Sequence, residues 1–271
     1  MTLVSTDWLN ENINKVKIID ASWHLAKNRN AIEEYNEEHI ENAIFFGLEK
    51  NSNQRKNLPH NHFLPSINDH ERSISKMGIS NTDRIVIYCY SDLISSCRAW
   101  FQFLYFGHDP KLVSILNGGI KKWKLEGRKV TNLKTKITPS NYKANENKNM
   151  IKVKSQIDEN IKSKEFTVID ARSKNRFLGL EPEPRPGIKS GSIEGSKSIP
   201  LNKIINSKDN TFLDTKKLTD IFNLSEISGN KIVMSCGSSV TAASLALAYS
   251  LINDDYTATI YIGSWTEFGK K

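Results

Sequence analysis

Four short patterns occur twice in this chain, in the same order. Val16-Lys17-Ile18-Ile19-Asp20-Ala21-Ser22-Trp23 is matched by Phe166-Thr167-Val168-Ile169-Asp170-Ala171-Arg172, and His39-Ile40-Glu41-Asn42-Ala43-Ile44-Phe45-Phe46 by Ser192-Ile193-Glu194-Gly195-Ser196-Lys197-Ser198-Ile199-Pro200. Arg84-Ile85-Val86-Ile87-Tyr88-Cys89 is matched by Lys231-Ile232-Val233-Met234-Ser235-Cys236, and Leu116-Asn117-Gly118-Gly119 by Tyr261-Ile262-Gly263-Ser264. The offsets stay between about 145 and 153 residues, a constancy that chance does not give four times. A chain built this way folds as two like domains. Its 271 residues are enough for each to have its own core.

Within each half, short apolar runs alternate with helical segments such as 97–106 and 242–252, and 33–38 reads as a short polar helix. That alternation predicts an α/β architecture, a mostly parallel sheet flanked by helices in each domain. The stretch from Thr131 to Met150 is polar, rich in Lys and Asn, and contains Pro139, as expected of a surface connection. With the boundary near residue 140, the expected organisation is a first domain over 1–135, a linker over 136–150 and a second domain over 151–271. In parallel α/β sheets sites form at the carboxyl ends of strands, and Asp20, Cys89, Asp170 and Cys236 all fall there.

The totals narrow the function. No apolar run approaches the roughly 20 residues that span a bilayer, and the first residues lack the basic flank and apolar core of a signal peptide. A soluble cytoplasmic protein is expected. Three cysteines, Cys89, Cys97 and Cys236, without Cys-x-x-Cys spacing give neither a disulfide framework nor a zinc site, so no metal and no cofactor are expected. The net charge of +8 comes from lysines scattered among Asn and Glu rather than gathered in one stripe, which does not suit nucleic acid. It does suit an anionic small substrate.

The chemistry centres on Met234-Ser235-Cys236-Gly237-Ser238-Ser239-Val240-Thr241-Ala242. An apolar strand leads into it, and a helix without Gly or Pro runs from Val240 to about Tyr249. Cys236 therefore sits just before a helix start, where free N–H groups and the helix dipole favour a reactive thiolate; a Cys beside an apolar strand also serves as an inert small hydrophobe. The corresponding loop of the first half, from Cys89 to Ser96, is longer and bulky at its second position, so Cys89 is expected to be packing. After the strand ending at Asp170, Arg176 and Arg185 flank Glu181-Pro182-Glu183-Pro184, whose prolines stiffen the loop. Two guanidinium forks held this way suit a carboxylate; the alternative is that they pair with Glu181 or Glu183.

Taken together, Asp20-Ala21-Ser22-Trp23, His39-Ile40, Asn117-Gly118-Gly119 with Trp123, Arg176-Phe177, Glu181 to Arg185, Cys236 to Ala242 and Gly263-Ser264-Trp265-Thr266-Glu267-Phe268 resemble the tandem-domain rhodanese superfamily, and within it the mercaptopyruvate sulfurtransferases. The resemblance covers nearly the whole chain. It implies a persulfide mechanism, in which the loop thiolate takes sulfur from 3-mercaptopyruvate, pyruvate leaves as its enolate, and a thiol such as thioredoxin or a small thiol, or cyanide, accepts the sulfur. It further implies that Arg176 and Arg185 bind the substrate carboxylate and keto group, that the loop residues Gly237, Ser239, Val240 and Thr241 cradle the substrate, and that Ser238, His62 and Glu49 form a relay beside Cys236. A monomer is expected.

Three departures from the family pattern stand out. Ser239 replaces the usual loop glycine, Ile262 the usual Asp before Gly263, and Ser192 a common histidine. If position 239 needs a positive φ, Ser239 adds strain of about 1 kcal/mol or more; the missing Asp removes a brace behind the loop. The competing donor is thiosulfate, but the neutral Gly237 and Ser238 do not supply the cations that a sulfonate-like group needs. Ala242 stands where a phosphatase loop of this type has its Arg, so phosphate-ester hydrolysis is not expected. The remaining alternative is an impaired sulfur-carrier or binding module.

Overall fold

The computed structural model describes residues 1–26, 28–229 and 231–271. They divide into two compact units. Unit one comprises Met1–Gln54, Leu64–Asn147 and Ser207–Thr211; unit two comprises Arg55–Phe63, Lys148–Asn206 and Phe212–Lys271.

Unit one contains β1 (Leu3–Val4), α1 (Thr6–Asn12), β2 (Lys17–Asp20), α2 (Ala31–Glu37), β3 (Ala43–Phe45), α3 (Ile67–Lys76), β4 (Ile85–Tyr88), α4 (Ser96–Tyr105), β5 (Val113–Leu116) and α5 (Gly119–Leu125). Its sheet has the order β1-β5-β4-β2-β3, with every pairing parallel. Unit two contains β6 (Ile151–Lys152), α6 (Lys154–Ser163), β7 (Thr167–Asp170), α7 (Lys174–Phe177), β8 (Lys197–Ser198), α8 (Thr215–Leu224), β9 (Ile232–Ser235), α9 (Val240–Ser250), β10 (Ile260–Tyr261) and α10 (Ser264–Phe268). Its order is β6-β10-β9-β7-β8, again all parallel. The duplicated patterns thus occupy duplicated strands.

The central strands are apolar on both faces because helices cover both, and β4 and β9 are buried along their whole length. In unit one Val4, Leu9, Ile18, Val86, Tyr88 and Trp123 form part of a single core; in unit two Val168, Ile193, Val233, Tyr261 and Trp265 do so. Helix α9 buries every residue from Val240 to Tyr249 except Thr241, which explains its Ala and Leu content and its lack of a polar face. Among the described residues no helix is long and apolar enough to cross a membrane.

The polar stretch 136–150, read as a linker from its composition, belongs for most of its length to unit one. Backbone bonds run from Ser140 N to Ser75 O (2.9 Å), Asn145 N to Phe106 O (3.0 Å) and Asn147 N to Tyr105 O (2.7 Å), and Tyr142 is buried with its ring stacked on His108. Its exposed Lys and Asn side chains set the composition while the main chain and one tyrosine set the packing. A second departure from the halves is that Arg55–Phe63 packs in unit two although it precedes most of unit one in sequence.

Candidate active site

The turn Cys236–Ser239 connects β9 to α9, and the first turn of α10 holds it from behind. Trp265 N donates to Cys236 O (2.8 Å), while Thr266 donates to Gly237 O through both its N (3.0 Å) and its Oγ1 (2.6 Å). Ser264 Oγ accepts from Ser239 N (3.0 Å) and donates to Tyr261 O (3.0 Å). A trans peptide points its carbonyl and the next N–H in opposite directions, so the N–H groups of Gly237 and Ser238 face away from α10. The brace expected to be lost with Ile262 is therefore replaced by Ser264, Trp265 and Thr266. The Ile262 carbonyl has its own use, accepting from His60 Nε2 at 2.9 Å.

Cys236 is buried. Two residues later Ser238 Oγ accepts from Arg185 Nη2 (3.0 Å) and lies 3.1 Å from His62 Nδ1. A guanidinium can only donate, so the Ser238 proton is available to Nδ1 of a neutral His62. His60 and His62 take different parts. A carbonyl can only accept, so His60 carries its proton on Nε2 toward Ile262, and its Nδ1 accepts from His62 N (3.0 Å). His60 thereby fixes the backbone that presents His62.

Gly237 makes room for the arginines. A Cβ built there would lie 3.3 Å from Arg176 Nη2 and 3.4 Å from Arg185 Nη1, tighter than ordinary contact. Arg176 departs from the expected pattern, because its Nε (3.2 Å) and Nη2 both donate to Glu183. The bidentate pairing expected for a substrate is made to a protein carboxylate, and among the described residues Nη1 has no hydrogen-bond acceptor.

Arg172 had no role assigned from sequence, and Glu183 appeared only as an alternative partner for Arg176 and Arg185, the part it takes with Arg176. Arg172 binds Asp170 through Nε and Nη2 (2.7 Å from Nη2), donates to Glu183 Oε1 from Nη1 (2.6 Å) and to Gly191 O (2.7 Å), and sits 4.6 Å from the Trp265 ring centroid. Burial opposes its charge, yet Asp170 and Glu183 hold its pKa above the usual value. Glu183 thus bridges two arginines from a side chain that is 2% exposed. The signal was present in Asp170-Ala171-Arg172, where a cation directly follows a strand-end acid.

Ser239 has φ 61° and ψ 6°, the left-handed conformation that its glycine-like position suggested. Val240 and Thr241 begin α9, whose first N–H groups have no intrahelical acceptor. Unit two therefore gathers Cys236, Gly237, Ser238, Ser239, Val240, Thr241, Arg176, Arg185 and His62. Glu49 belongs to unit one, where its carboxylate accepts from Trp23 Nε1 at 3.0 Å.

Comparison with known proteins gives the family and the fold. The family described as the rhodanese-like domain matches residues 5–126 and 153–271. Thiosulfate/3-mercaptopyruvate sulfurtransferase 2 of Arabidopsis thaliana is 37% identical over 98% of this chain and 83% of its own length. The 3-mercaptopyruvate sulfurtransferase of Homo sapiens is 34% identical, covering 98% of this chain and 91% of its own. The structure of SseA from Escherichia coli, a 3-mercaptopyruvate sulfotransferase of rhodanese fold, superposes with a TM-score of 0.86 at 29% identity, covering 98% of this chain and 99% of that one. With two matched segments on two sister sheets, the chain belongs to the rhodanese-like domain family as a tandem member.

Proposed function

We propose that Cys236 is the sulfur carrier of a 3-mercaptopyruvate sulfurtransferase and that unit two is its catalytic domain. That the chain is a sulfurtransferase follows from its full-length relatives. The observation that carries the assignment to Cys236 is Ser238 Oγ bonded to both Arg185 and His62 beside a buried thiol. The Cys236 thiolate attacks the sulfur of 3-mercaptopyruvate, an S–S bond forms and the C–S bond breaks. The electron pair of that bond stays on carbon, so pyruvate leaves as its enolate and takes up one proton. Ser238, backed by His62, delivers that proton. Arg185, with the Nη1 end of Arg176, holds the carboxylate, and the N–H groups of Gly237 and Ser238 and of the first turn of α9, from Val240 and Thr241, face the charge that builds on sulfur. An acceptor thiolate or cyanide then attacks the outer sulfur and returns Cys236 to its thiolate.

Thiosulfate is the second donor to weigh, since relatives carry both names; the rat thiosulfate sulfurtransferase is 34% identical over 99% of this chain. The neutral Gly237 and Ser238 favour mercaptopyruvate. The test compares kcat/KM for the two donors and weighs the intact protein after each; one added sulfur that vanishes in Cys236→Ser is expected, and a higher kcat/KM for thiosulfate overturns the donor assignment. The reading is completed by a thioredoxin or small-thiol acceptor, a monomer and a cytoplasmic setting, with no part for nucleic acid or membrane. One Arabidopsis relative is named as mitochondrial, so localisation of the tagged full chain is the test of the last point.

A further inference from the structure

Ser239 combines two unfavourable features at one residue. It is a non-glycine residue in the left-handed conformation, and its hydroxyl is wholly buried without an acceptor among the described residues. Either costs stability, and such costs persist where function maintains them. The other groups of the loop are committed. Ser239 N donates to Ser264 Oγ, the Cys236 and Gly237 carbonyls accept from α10, and Ser238 Oγ is held by Arg185 and His62. The Ser239 hydroxyl, on the last residue of the turn, is a donor with no acceptor among the described residues.

We propose that Ser239 Oγ donates to the sulfur carried on Cys236, stabilising the persulfide relative to the free thiolate. The inference rests on Cys236 being the carrier. Loading introduces into this buried loop an anionic sulfur with lone pairs, the acceptor that the hydroxyl lacks beforehand. The left-handed backbone at 239, which a glycine would adopt without strain, is then the cost of placing a hydroxyl there. Ser239 shifts this chain toward holding sulfur rather than releasing it quickly.

The test uses the full chain with Ser239→Ala, which keeps the Cβ, Ser239→Gly, which also relieves the backbone, and Ser235→Ala as a control. Ser235 Oγ is equally buried and without acceptor, but it lies on β9. Each protein is loaded with 3-mercaptopyruvate, followed by intact mass, and discharged with cyanide under single-turnover conditions. Discharge about fivefold faster is expected from both Ser239 variants and not from Ser235→Ala, as loss of one hydrogen bond to a charged group gives. Loading should also raise the Tm of the wild type more than that of either Ser239 variant, a difference that a purely structural hydroxyl would not produce. Equal or slower discharge from the Ser239 variants, equal Tm increments, or the same change in Ser235→Ala overturns the inference. If the wild type gains no sulfur, or Cys236→Ser gains it too, the carrier assignment itself fails, and this inference with it.

Discussion

Asp20 and Asp170 end equivalent strands of sister sheets and make the same backbone contacts. Phe46 N donates to Asp20 O and Ile199 N to Asp170 O; Ala21 N donates to Tyr88 O and Ala171 N to Ser235 O. Each carboxylate also accepts from the N–H two residues on. The side chain at that second position separates the units. In unit one it is Ser22, and burial pushes Asp20 up to about 6 against the hydrogen bonds from Ser22 and Tyr88 that would lower it. In unit two it is Arg172, which pairs with Asp170 and reaches Glu183, which in turn fixes Arg176. The residue at that position thus separates a buried acid held by Ser22 and Tyr88 from one at the root of an ion network that reaches Arg176 beside Gly237.

The two loops differ in the same sense. Ile120 N donates to Cys89 O as Trp265 N does to Cys236 O, and Gly119 (φ 56°) stands where Ser264 (φ 51°) does. A Cβ on Gly119 would lie 2.5 Å from Cys89 O, so no serine fits there to hold the loop. Tyr90–Ser95 separates Cys89 from α4, whereas Gly237–Ser239 is all that separates Cys236 from α9. Burial raises the Cys89 thiol pKa, and its sulfur faces Ser96 Oγ at 3.4 Å. On a shared backbone pattern, one loop is long with its thiol against Ser96, and the other is short and held from α10.

If this contrast holds, Cys236→Ser reduces turnover with 3-mercaptopyruvate by about a thousandfold or more, the scale for removing a covalent nucleophile, while Cys89→Ser stays within about twofold of wild type; equal losses in the kinetic assay would erase the distinction. Next in size, Glu183→Gln leaves the buried Arg172 and the partly buried Arg176 without their shared carboxylate and should cost unit two about 3 kcal/mol in denaturant unfolding. A change under about 1 kcal/mol would mean that the network is not a support. For Asp20 the sign is opposite to that of an ion-paired acid. Its folded pKa lies above its ordinary value near 3.8, so the native state holds the proton that the unfolded state has lost, and its stabilisation disappears as pH rises from about 4 to 6. Asp20→Asn, which keeps an acceptor for Ser22, should remove a slope of up to about 3 kcal/mol across that window, as read from hydrogen exchange of β2 and β4 amides. The smallest effect expected is that of Arg185→Lys, which loses the fork but keeps the charge. KM for 3-mercaptopyruvate should rise about tenfold with kcat changed less than about threefold, and an unchanged KM would count against carboxylate binding by Arg185.

Much of this was legible in residues 16–23 and 166–172 and in the two Cys loops, because strands buried on both faces read as apolar runs and the acids at their ends mark the edge of the sheet. The helix expected at 33–38 lies at Ala31–Glu37, an ordinary shift for an end without a side-chain cap. The allegiance of Arg55–Phe63 was not legible. Pro59 and Pro65 announce irregular backbone but carry no record of which sheet it lies against. His62 was named from sequence, but the supporting part of His60 was not legible, since it depends on a carbonyl, Ile262 O, and every residue has one. The charges of Glu181, Glu183 and Arg185 suited both a substrate carboxylate held by the arginines and pairing within the protein; the burial of Glu183 between Arg172 and Arg176 could not be read from them.

The packing of Arg55–Phe63 within unit two also bears on how a duplicated chain keeps both copies. A fragment beginning at residue 151 would contain the thiol, Ser238 and all three arginines but neither imidazole. If Cys236 is the carrier, as proposed, residues 55–63 of the first half serve the site of the second, and the chain cannot shed them without losing the imidazole beside Ser238. Redundancy after duplication has been exchanged for dependence, through nine residues and two histidines.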